Sequence, residues 1–275
     1  MPELPEVETT RRGIATVMTA NTLQEFIIHE PRMRWPIPAE LPSLINGHTV
    51  QACERRGKYI LLKFAHGWQL IHLGMSGSLR RLPLDAPRLK HDHAEWRFAE
   101  ARFVLNDPRR FGSVLWHPAT AGPVLAHRLL AKLGVEPFGA EFTAEHLYMG
   151  LQKRRLAIKP TLLSGSIVVG VGNIYASEAL FRAGIHPELP ANQLSETRTR
   201  LLHAAIQETL ECALASGGST LRDYVDATGT PGSYFSIHAK VYDKAGQPCQ
   251  SCGQTIQRIV QNQRATYFCP QCQPD

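Results

Sequence analysis

Four of the six cysteines fall within the last 27 residues, as Cys249-x-x-Cys252, sixteen intervening residues, then Cys269-x-x-Cys272. Two thiolate pairs at this spacing match a tetrahedral zinc site, each pair gripping one side of the metal. The competing disulfide reading needs an oxidising compartment. Met1–Gly13 begins acidic and has no apolar segment, so it does not read as a secretory signal, and reduced thiols are expected. Four thiolates leave no open coordination position, so the metal is structural. From Tyr234 the tail reads as two β segments bracketed by the cysteine pairs, a zinc-bound hairpin. Arg258, Gln261, Asn262, Gln263 and Arg264 fall at or near its tip, either as a solvated turn or as a basic finger for a groove or phosphates. Cys53 and Cys212 stand alone and read as buried, reduced thiols.

The rest of the chain changes character once. Glu6–Met18 has helical periodicity through Val7, Ile14 and Val17. From Thr22 to His117 short β segments follow. Lys58–Phe64 and Gln69–Leu73 flank a turn at Ala65-His66-Gly67, with further strands at Arg102–Leu105 and Ser113–Trp116. One helix and about eight strands predict a β-sandwich. Beyond Pro118 the pattern is helical: Pro123–Leu133, Thr143 to Arg155, Asn173–Ala183 stopped by Gly184, and Glu196–Ala215 capped by Ser195. The stripe on the last of these is Leu201, Leu202, Ala205, Ile206 and Leu210. Thr228–Ser233 is turn-rich and reads as a flexible loop. The chain is therefore α+β and multidomain, and no apolar run reaches the ~18–20 residues of a membrane-spanning helix.

Thirty Lys and Arg against twenty-four Asp and Glu leave a net charge of +6. That suits a polyanion but also an ordinary solvated surface. Lys153, Arg154, Arg155 and Lys159 form a stretch without an acid, and Leu79–Arg110 holds eight cations against five acids. Two motifs fail on inspection. Gly170-Val-Gly172-Asn-Ile-Tyr175 begins like a dinucleotide fingerprint, but Tyr175 stands where its third glycine belongs; what survives is a glycine-preceded helix N-terminus suited to phosphate. His93-Ala-Glu95 with Pro248-Cys249-x-x-Cys252 outlines a zinc deaminase, but the halves are 153 residues apart and Cys269 and Cys272 would be left over. At the N-terminus, Pro2 is small enough for removal of Met1, which exposes a secondary amine. An α-amino group titrates near ~8 and can attack an aldehyde-like carbon. Glu3 and Glu6 beside it can donate protons, or merely favour a helix start.

Pro2–Gly13 (PELPEVETTRRG) resembles the N-terminal signature of the bacterial formamidopyrimidine-DNA glycosylase family. The same family's motifs follow in order: Arg55-Arg-Gly-Lys58-Tyr-Ile-Leu-Leu62, His72-Leu-Gly-Met75-Ser-Gly-Ser-Leu-Arg80, Lys90-His-Asp-His93, Asn106-Asp-Pro-Arg-Arg-Phe-Gly112 and Val168-Val-Gly-Val-Gly-Asn-Ile-Tyr175. Gly217-Gly-Ser-Thr-Leu221 and the cysteine hairpin with Gln263-Arg264-Ala-Thr266 complete the pattern, so the resemblance covers the whole chain. Leu4 and the His72–Arg80 block favour it over the sister endonuclease VIII type, an alternative that would prefer oxidised pyrimidines. A non-catalytic damage-binding protein of the same architecture is the rival of a different class.

The resemblance implies an N-terminal catalytic β-sandwich (residues 1–118), a linker (119–135), a helix–two-turn–helix DNA-binding domain (136–227), and a base-sensing loop with zinc finger (228–275). It implies a bifunctional glycosylase and abasic-site lyase of base excision repair, acting on 8-oxoguanine and formamidopyrimidines in duplex DNA. One zinc would be held by Cys249, Cys252, Cys269 and Cys272. Pro2 is matched as the nucleophile, Glu3 as the acid at the sugar ring oxygen, and Glu6 as an orienting or relay group. Lys58 is matched as proton donor for β-elimination and Arg264 as phosphate clamp and donor for δ-elimination. His72, His91, Arg155 and Asn173 match DNA-binding positions, and Met75, Arg109 and Phe111 match residues that fill the space of an extruded base. A monomer in the bacterial cytoplasm, associated with the nucleoid, is the expected setting. Leu163-Ser164-Gly165-Ser166 lacks an acid common in the family, and Asp226–Ser236 matches the base-sensing loop only loosely.

Overall fold

The structure, a computed structural model, describes residues 2–219, 227–228, 230 and 232–274. Parts of the Gly217–Leu221 motif and of the Asp226–Ser236 loop, and Met1, lie outside the described residues. By contact the chain divides into two compact units, Met1–Ala131 with Leu214–Phe235, and Lys132–Ala213 with Ser236–Asp275.

The first unit opens with helix α1 (Leu4–Met18), followed by β1 (Glu25–Ile28), a short α2 (Leu41–Ile45), and seven strands: β2 (Ala52–Arg56), β3 (Tyr59–Phe64), β4 (Gly67–His72), β5 (Ser78–Leu82), β6 (Asp92–Arg97), β7 (Arg102–Asn106) and β8 (Ser113–Pro118). They form two antiparallel four-stranded sheets, ordered β1-β6-β7-β5 and β2-β3-β4-β8. Both contribute to one core. Phe26, Trp96, Phe103 and Leu105 come from the first sheet, Ile60, Leu62, Phe64 and Ile71 from the second, and Val7, Ile14 and Met18 from α1. The buried Trp96 indole N–H donates to buried Gln69 at 2.8 Å, joining the sheets by a polar contact inside the core. Burial pushes the Cys53 thiol up to about 12, leaving it inert; Cys212 is only half-buried.

The residues between Pro123 and Leu133 are not a helix. A single 3-10 turn spans Val124–Ala126, and His127 leaves it with extended backbone. Val124 and Leu130 are buried while Leu125 is exposed, so no continuous stripe exists to hold a helix against the core.

The second unit contains α3 (Ala144–Gln152), α4 (Ile158–Leu163), α5 (Asn173–Arg182) and α6 (Glu196–Ala215); α7 (Tyr234–His238) leads to the hairpin β9 (Gln257–Gln261) and β10 (Arg264–Phe268). The Thr143 hydroxyl accepts the His146 N–H at 3.0 Å, the expected cap of α3, but the helix stops at Gln152 rather than at Arg155. Gly184, at φ +65°, ends α5 as expected. On α6 the stripe is Leu202, Ala205, Ile206, Leu210 and Ala213; Leu201 is 56% exposed and belongs to the solvent face. The tail from Tyr234 begins with a helical turn rather than a strand, and α4, with Pro160 tolerated in its first turn, has no counterpart in the sequence reading. Lys159 is 0% exposed and is not part of a solvated basic stretch.

Two carboxylates make the first unit acid-sensitive. Burial pushes Glu8 upward, but hydrogen bonds from Arg11 and Arg12 and the charge of Arg55 outweigh it and hold it at about 2. Glu95 is also raised by burial and brought down to about 2 by Arg97, His29 and Arg102. A carboxylate held in this way remains ionised near neutrality. Depressed carboxylates contribute stability above their unfolded value of ~4.3, lost as pH falls through the folded value. Melting temperature followed by Trp fluorescence is therefore expected to fall steadily between about pH 4.5 and pH 2. In Glu8→Gln that fall should be shallower; an unchanged slope would refute the assignment.

Candidate nucleic-acid interface and catalytic residues

Pro2, Glu3 and Glu6 are all buried at the start of α1. Glu3 and Glu6 close a reciprocal capping box, with Glu6 Oε2 accepting the Glu3 N–H at 2.8 Å. The other Glu6 oxygen, Oε1, accepts the Ser219 N–H at 2.6 Å. Gly218 makes that approach possible: it sits at φ +87°, and a Cβ there would come within 2.9 Å of Glu6 Oε1. Glu6 thus fastens the N-terminal turn to the 217–219 segment with both oxygens, a geometry suited to orienting its neighbours. Beside it the Ser219 hydroxyl is buried without a hydrogen-bond partner among the described residues.

Lys58 occupies a two-residue hairpin turn with Gly57, whose φ of +57° suits the first position of a type II′ turn. The turn is tied back to α1, since Arg55 Nε donates to Glu8 at 3.1 Å and Arg55 Nη1 to the Gly57 carbonyl at 2.9 Å. Glu8 and Arg55, to which sequence reasoning gave no role, are what links the helix of Pro2 to the turn of Lys58. Tyr59 pairs across the sheet with His72, their rings 4.7 Å apart. Burial, then the charges of Lys58 and Arg34, push His72 down to about 4. His72 Nδ1 accepts the Gly74 N–H at 3.0 Å, which leaves the proton of the neutral ring on Nε2 as a donor.

Met75, Arg109 and Phe111 lie on two abutting loops. Met75 and Phe111 are each 42% exposed, large apolar side chains held out of the core, and the Arg109 guanidinium sits 5.0 Å from the Phe111 ring centroid. Fully buried Asp107 organises both loops. Its carboxylate accepts from the Ser76 hydroxyl at 2.7 Å and the Gly112 N–H at 2.8 Å; its carbonyl accepts from His93 Nε2, and its N–H donates to the His91 carbonyl at 3.0 Å. His91, at φ +73°, is thereby fixed beside the same loop. Asp107 was visible as part of a motif, but its hub position depends on contacts distant in sequence.

In the second unit the four cysteine Sγ atoms lie within 4.8 Å of one another, with Cys249–Cys272 at 3.9 Å and Cys252–Cys269 at 3.4 Å. Four sulfurs at Zn–S ≈ 2.3 Å on a tetrahedron are about 3.8 Å apart, so the set fits one zinc ion. The hairpin above it turns at Asn262 and Gln263, both with left-handed backbone (φ +46° and +60°), as a type I′ turn requires, and exposed Arg264 follows at the start of β10. Lys159 Nζ donates to Asn173 Oδ1 at 2.7 Å, Thr266 Oγ1 at 2.7 Å and the Ala265 carbonyl at 3.1 Å. Asn173 Nδ2 donates to Ala265 at 2.9 Å and to the Tyr242 hydroxyl at 3.2 Å. Asn173, at the glycine-preceded start of α5, and Arg264 are therefore held on one framework by a buried lysine that the sequence disguised as surface charge. Glu178, also missed, accepts the N–H groups of Lys240, Val241 and Tyr242 at 2.8–3.0 Å and anchors the tail to α5. Arg155 stands exposed, without a hydrogen-bond partner among the described residues and outside that framework.

A metal-stapled hairpin with a cationic tip, locked to a helix N-terminus able to receive phosphate, defines a nucleic-acid-binding protein. Comparison with known proteins narrows the class. Residues 1–114 match the formamidopyrimidine-DNA glycosylase N-terminal domain, 133–225 the formamidopyrimidine-DNA glycosylase H2TH domain, and 246–274 the zinc finger found in FPG and IleRS. The formamidopyrimidine-DNA glycosylase of Bordetella petrii is 61% identical over 274 residues, 99% of each chain, and that of Paraburkholderia phytofirmans is 51% identical over 276 residues, 99% of this chain and 100% of the other. Lactococcus lactis Fpg in complex with abasic-site DNA superposes with a TM-score of 0.91 at 38% identity over 99% of this chain and 100% of the other. A point mutant of that Lactococcus protein, in complex with Fapy-dG-containing DNA, gives 0.92 at 38% over both full chains. The chain belongs to the formamidopyrimidine-DNA glycosylase family.

Proposed function

We propose that this protein excises oxidised purines from duplex DNA and cleaves the strand at the resulting abasic site, with Pro2 as nucleophile. The observation that carries the reading is the start of α1, where Pro2 is buried beside Glu3 and Glu6 fixes the turn through both carboxylate oxygens. Crystallised Lactococcus relatives hold abasic-site and Fapy-dG DNA, which supports the same substrate class here.

In this reading residues 1–118 form the catalytic module, 119–135 the linker, 136–227 the helix–two-turn–helix domain, and 228–275 the base-sensing loop and zinc finger. Once Met1 is removed, the Pro2 nitrogen lone pair attacks C1′ of the damaged nucleotide, and the C1′–base bond breaks with its electron pair leaving on the base. In the same step Glu3 protonates the ring oxygen and the amine's proton passes to the departing base; the sugar opens, and the nitrogen holds C1′ as a cationic imine. That cation acidifies the C2′ proton; its loss expels the 3′-phosphate, with Lys58 supplying a proton. A second elimination expels the 5′-phosphate, with Arg264 clamping and protonating it. His72 donates Nε2–H to a phosphate, while His91 and Arg155 take others and Asn173 offers one its backbone N–H at the start of α5, its side-chain donors being held by Ala265 and Tyr242. Extruding the base costs a few kcal/mol, and Met75, Arg109 and Phe111 fill the gap, Phe111 as wedge and Arg109 toward the orphaned cytosine. No helix among the described residues is long and apolar enough to cross a membrane; we place the work in the bacterial cytoplasm, on the nucleoid.

Glu3→Gln separates the two activities. Base release needs the acid at the ring oxygen, so 8-oxoguanine excision should drop by roughly 10²–10⁴-fold. A preformed abasic site has already lost its base, so its cleavage should stay within a few-fold of wild type. Equal loss of both activities in a parallel gel assay would remove Glu3 from the acid role.

A further inference from the structure

Eight guanidinium groups of the N-terminal unit are held by carboxylates. Arg11, Arg12 and Arg55 are paired with Glu8, Arg80 with Asp92, Arg97 and Arg102 with Glu95, and Arg32 and Arg110 with Glu30. Arg34 and Arg128 are exposed and meet no carboxylate among the described residues. Instead both sit over the half-buried Trp35, their guanidinium carbons 4.8 and 5.3 Å from a ring centroid. Arg109 on Phe111 is built in the same way, and Arg109 is the residue that reaches into DNA in the reading above.

Position strengthens the parallel. The Arg34 N–H donates to the Gly112 carbonyl at 3.2 Å, one residue beyond Phe111, and the Met33 methyl lies against Gly112. The charges of Arg34 and Arg128 both bear on Tyr59, and that of Arg34 bears on His72. Tyr59 follows Lys58 and packs on His72. The Trp35 stack therefore borders the Lys58–His72 face on one side and the Arg109–Phe111 loop on the other. A guanidinium stacked on an indole keeps its N–H edge free and has fewer rotamers left to lose, which suits bidentate capture of a phosphate.

We propose that Arg34 and Arg128, stacked on Trp35, form an additional clamp for the DNA backbone, taking phosphates of the duplex that flank the extruded nucleotide. The clamp rests on the DNA-directed reading of the protein, and it reads charge and backbone rather than bases or lesion. Each phosphate neutralised steepens the dependence of log Kobs on log salt by about 0.9. Binding by the full-length, zinc-loaded protein would be measured on an undamaged duplex and on one carrying a tetrahydrofuran abasic analogue. Arg34→Ala/Arg128→Ala should make the slope shallower by about 1.8, with binding ~60-fold weaker at about 0.1 M salt and ~12-fold at about 0.25 M, equally on both duplexes. Arg34→Lys/Arg128→Lys should keep the slope. Should the double variant fail to fold, each single alanine variant should show about half the slope change. A wild-type slope in the alanine variants, or a loss confined to the abasic duplex, would overturn the clamp and leave the glycosylase reading standing. Failure of the wild-type protein to bind either duplex would overturn both.

Discussion

Protein that retains Met1 should bind an abasic duplex yet give no covalent adduct under borohydride. A bulky second residue, as in Pro2→Leu, blocks removal of Met1 and provides such protein. Retention converts the nitrogen of residue 2 from an amine to an amide, whose lone pair is delocalised into the carbonyl. The new terminal amine lies one residue further out, and consecutive Cα atoms are ~3.8 Å apart. Attack needs contact of about 3–3.5 Å, so the displaced amine cannot substitute while Glu6 holds the first turn of α1 to Glu3 and Ser219. Loss on the order of 10⁴-fold or more in strand cleavage is expected, the scale seen when a nucleophile is removed from a concerted set. Intact-protein mass spectrometry establishes the N-terminus in the same sample. A trapped adduct on Met1-retaining protein would move the imine to another amine and displace Pro2 from the mechanism.

What was legible in the sequence depended on how local the signal was. The cysteine pairs, α1, and the caps at Thr143 and Gly184 are set by neighbours within a few residues, and the structure places them as expected. Lys159 was misread because a lysine among Lys153, Arg154 and Arg155 looks solvated; its acceptors, Asn173, Ala265 and Thr266, are 14, 106 and 107 residues away. Asp107, Arg55 and Glu178 escaped notice as individual residues for the same reason. Each acts by gathering backbone or charge from other segments, and nothing in its immediate sequence records the partner. Leu201 shows the opposite failure: helical spacing marks a stripe but not its edge, which packing sets. The hairpin was found, yet the turn of α7 before it was not, since five residues give too little periodicity to separate helix from strand.

Removing the zinc should cost the protein its hairpin and with it tight DNA binding, while leaving the β-sandwich folded. Val241, Cys249, Ile256, Tyr267 and Cys269 are the buried cluster beneath the hairpin. Two strands of five residues over so small a core are not stable in water without a cross-link. A structural zinc contributes roughly 10–16 kcal/mol of apparent folding free energy in small metal-dependent modules, far more than that cluster can supply. Once the hairpin melts, Ala265 and Thr266 no longer receive Lys159, whose buried ammonium is left with Asn173. Asn173 also loses its bond to Ala265, so the start of α5 loosens as Arg264 is released. Hydrogen exchange after chelation should show amides of residues 257–268 unprotected and those of residues 59–72 unchanged, because the sandwich core around Trp96 and Gln69 owes nothing to the metal. Cys269→Ser should reproduce the pattern without a chelator. Protection surviving in residues 257–268 of metal-free protein would mean that Glu178 and Lys159 hold the hairpin by themselves, and that the four thiolates are dispensable for its fold.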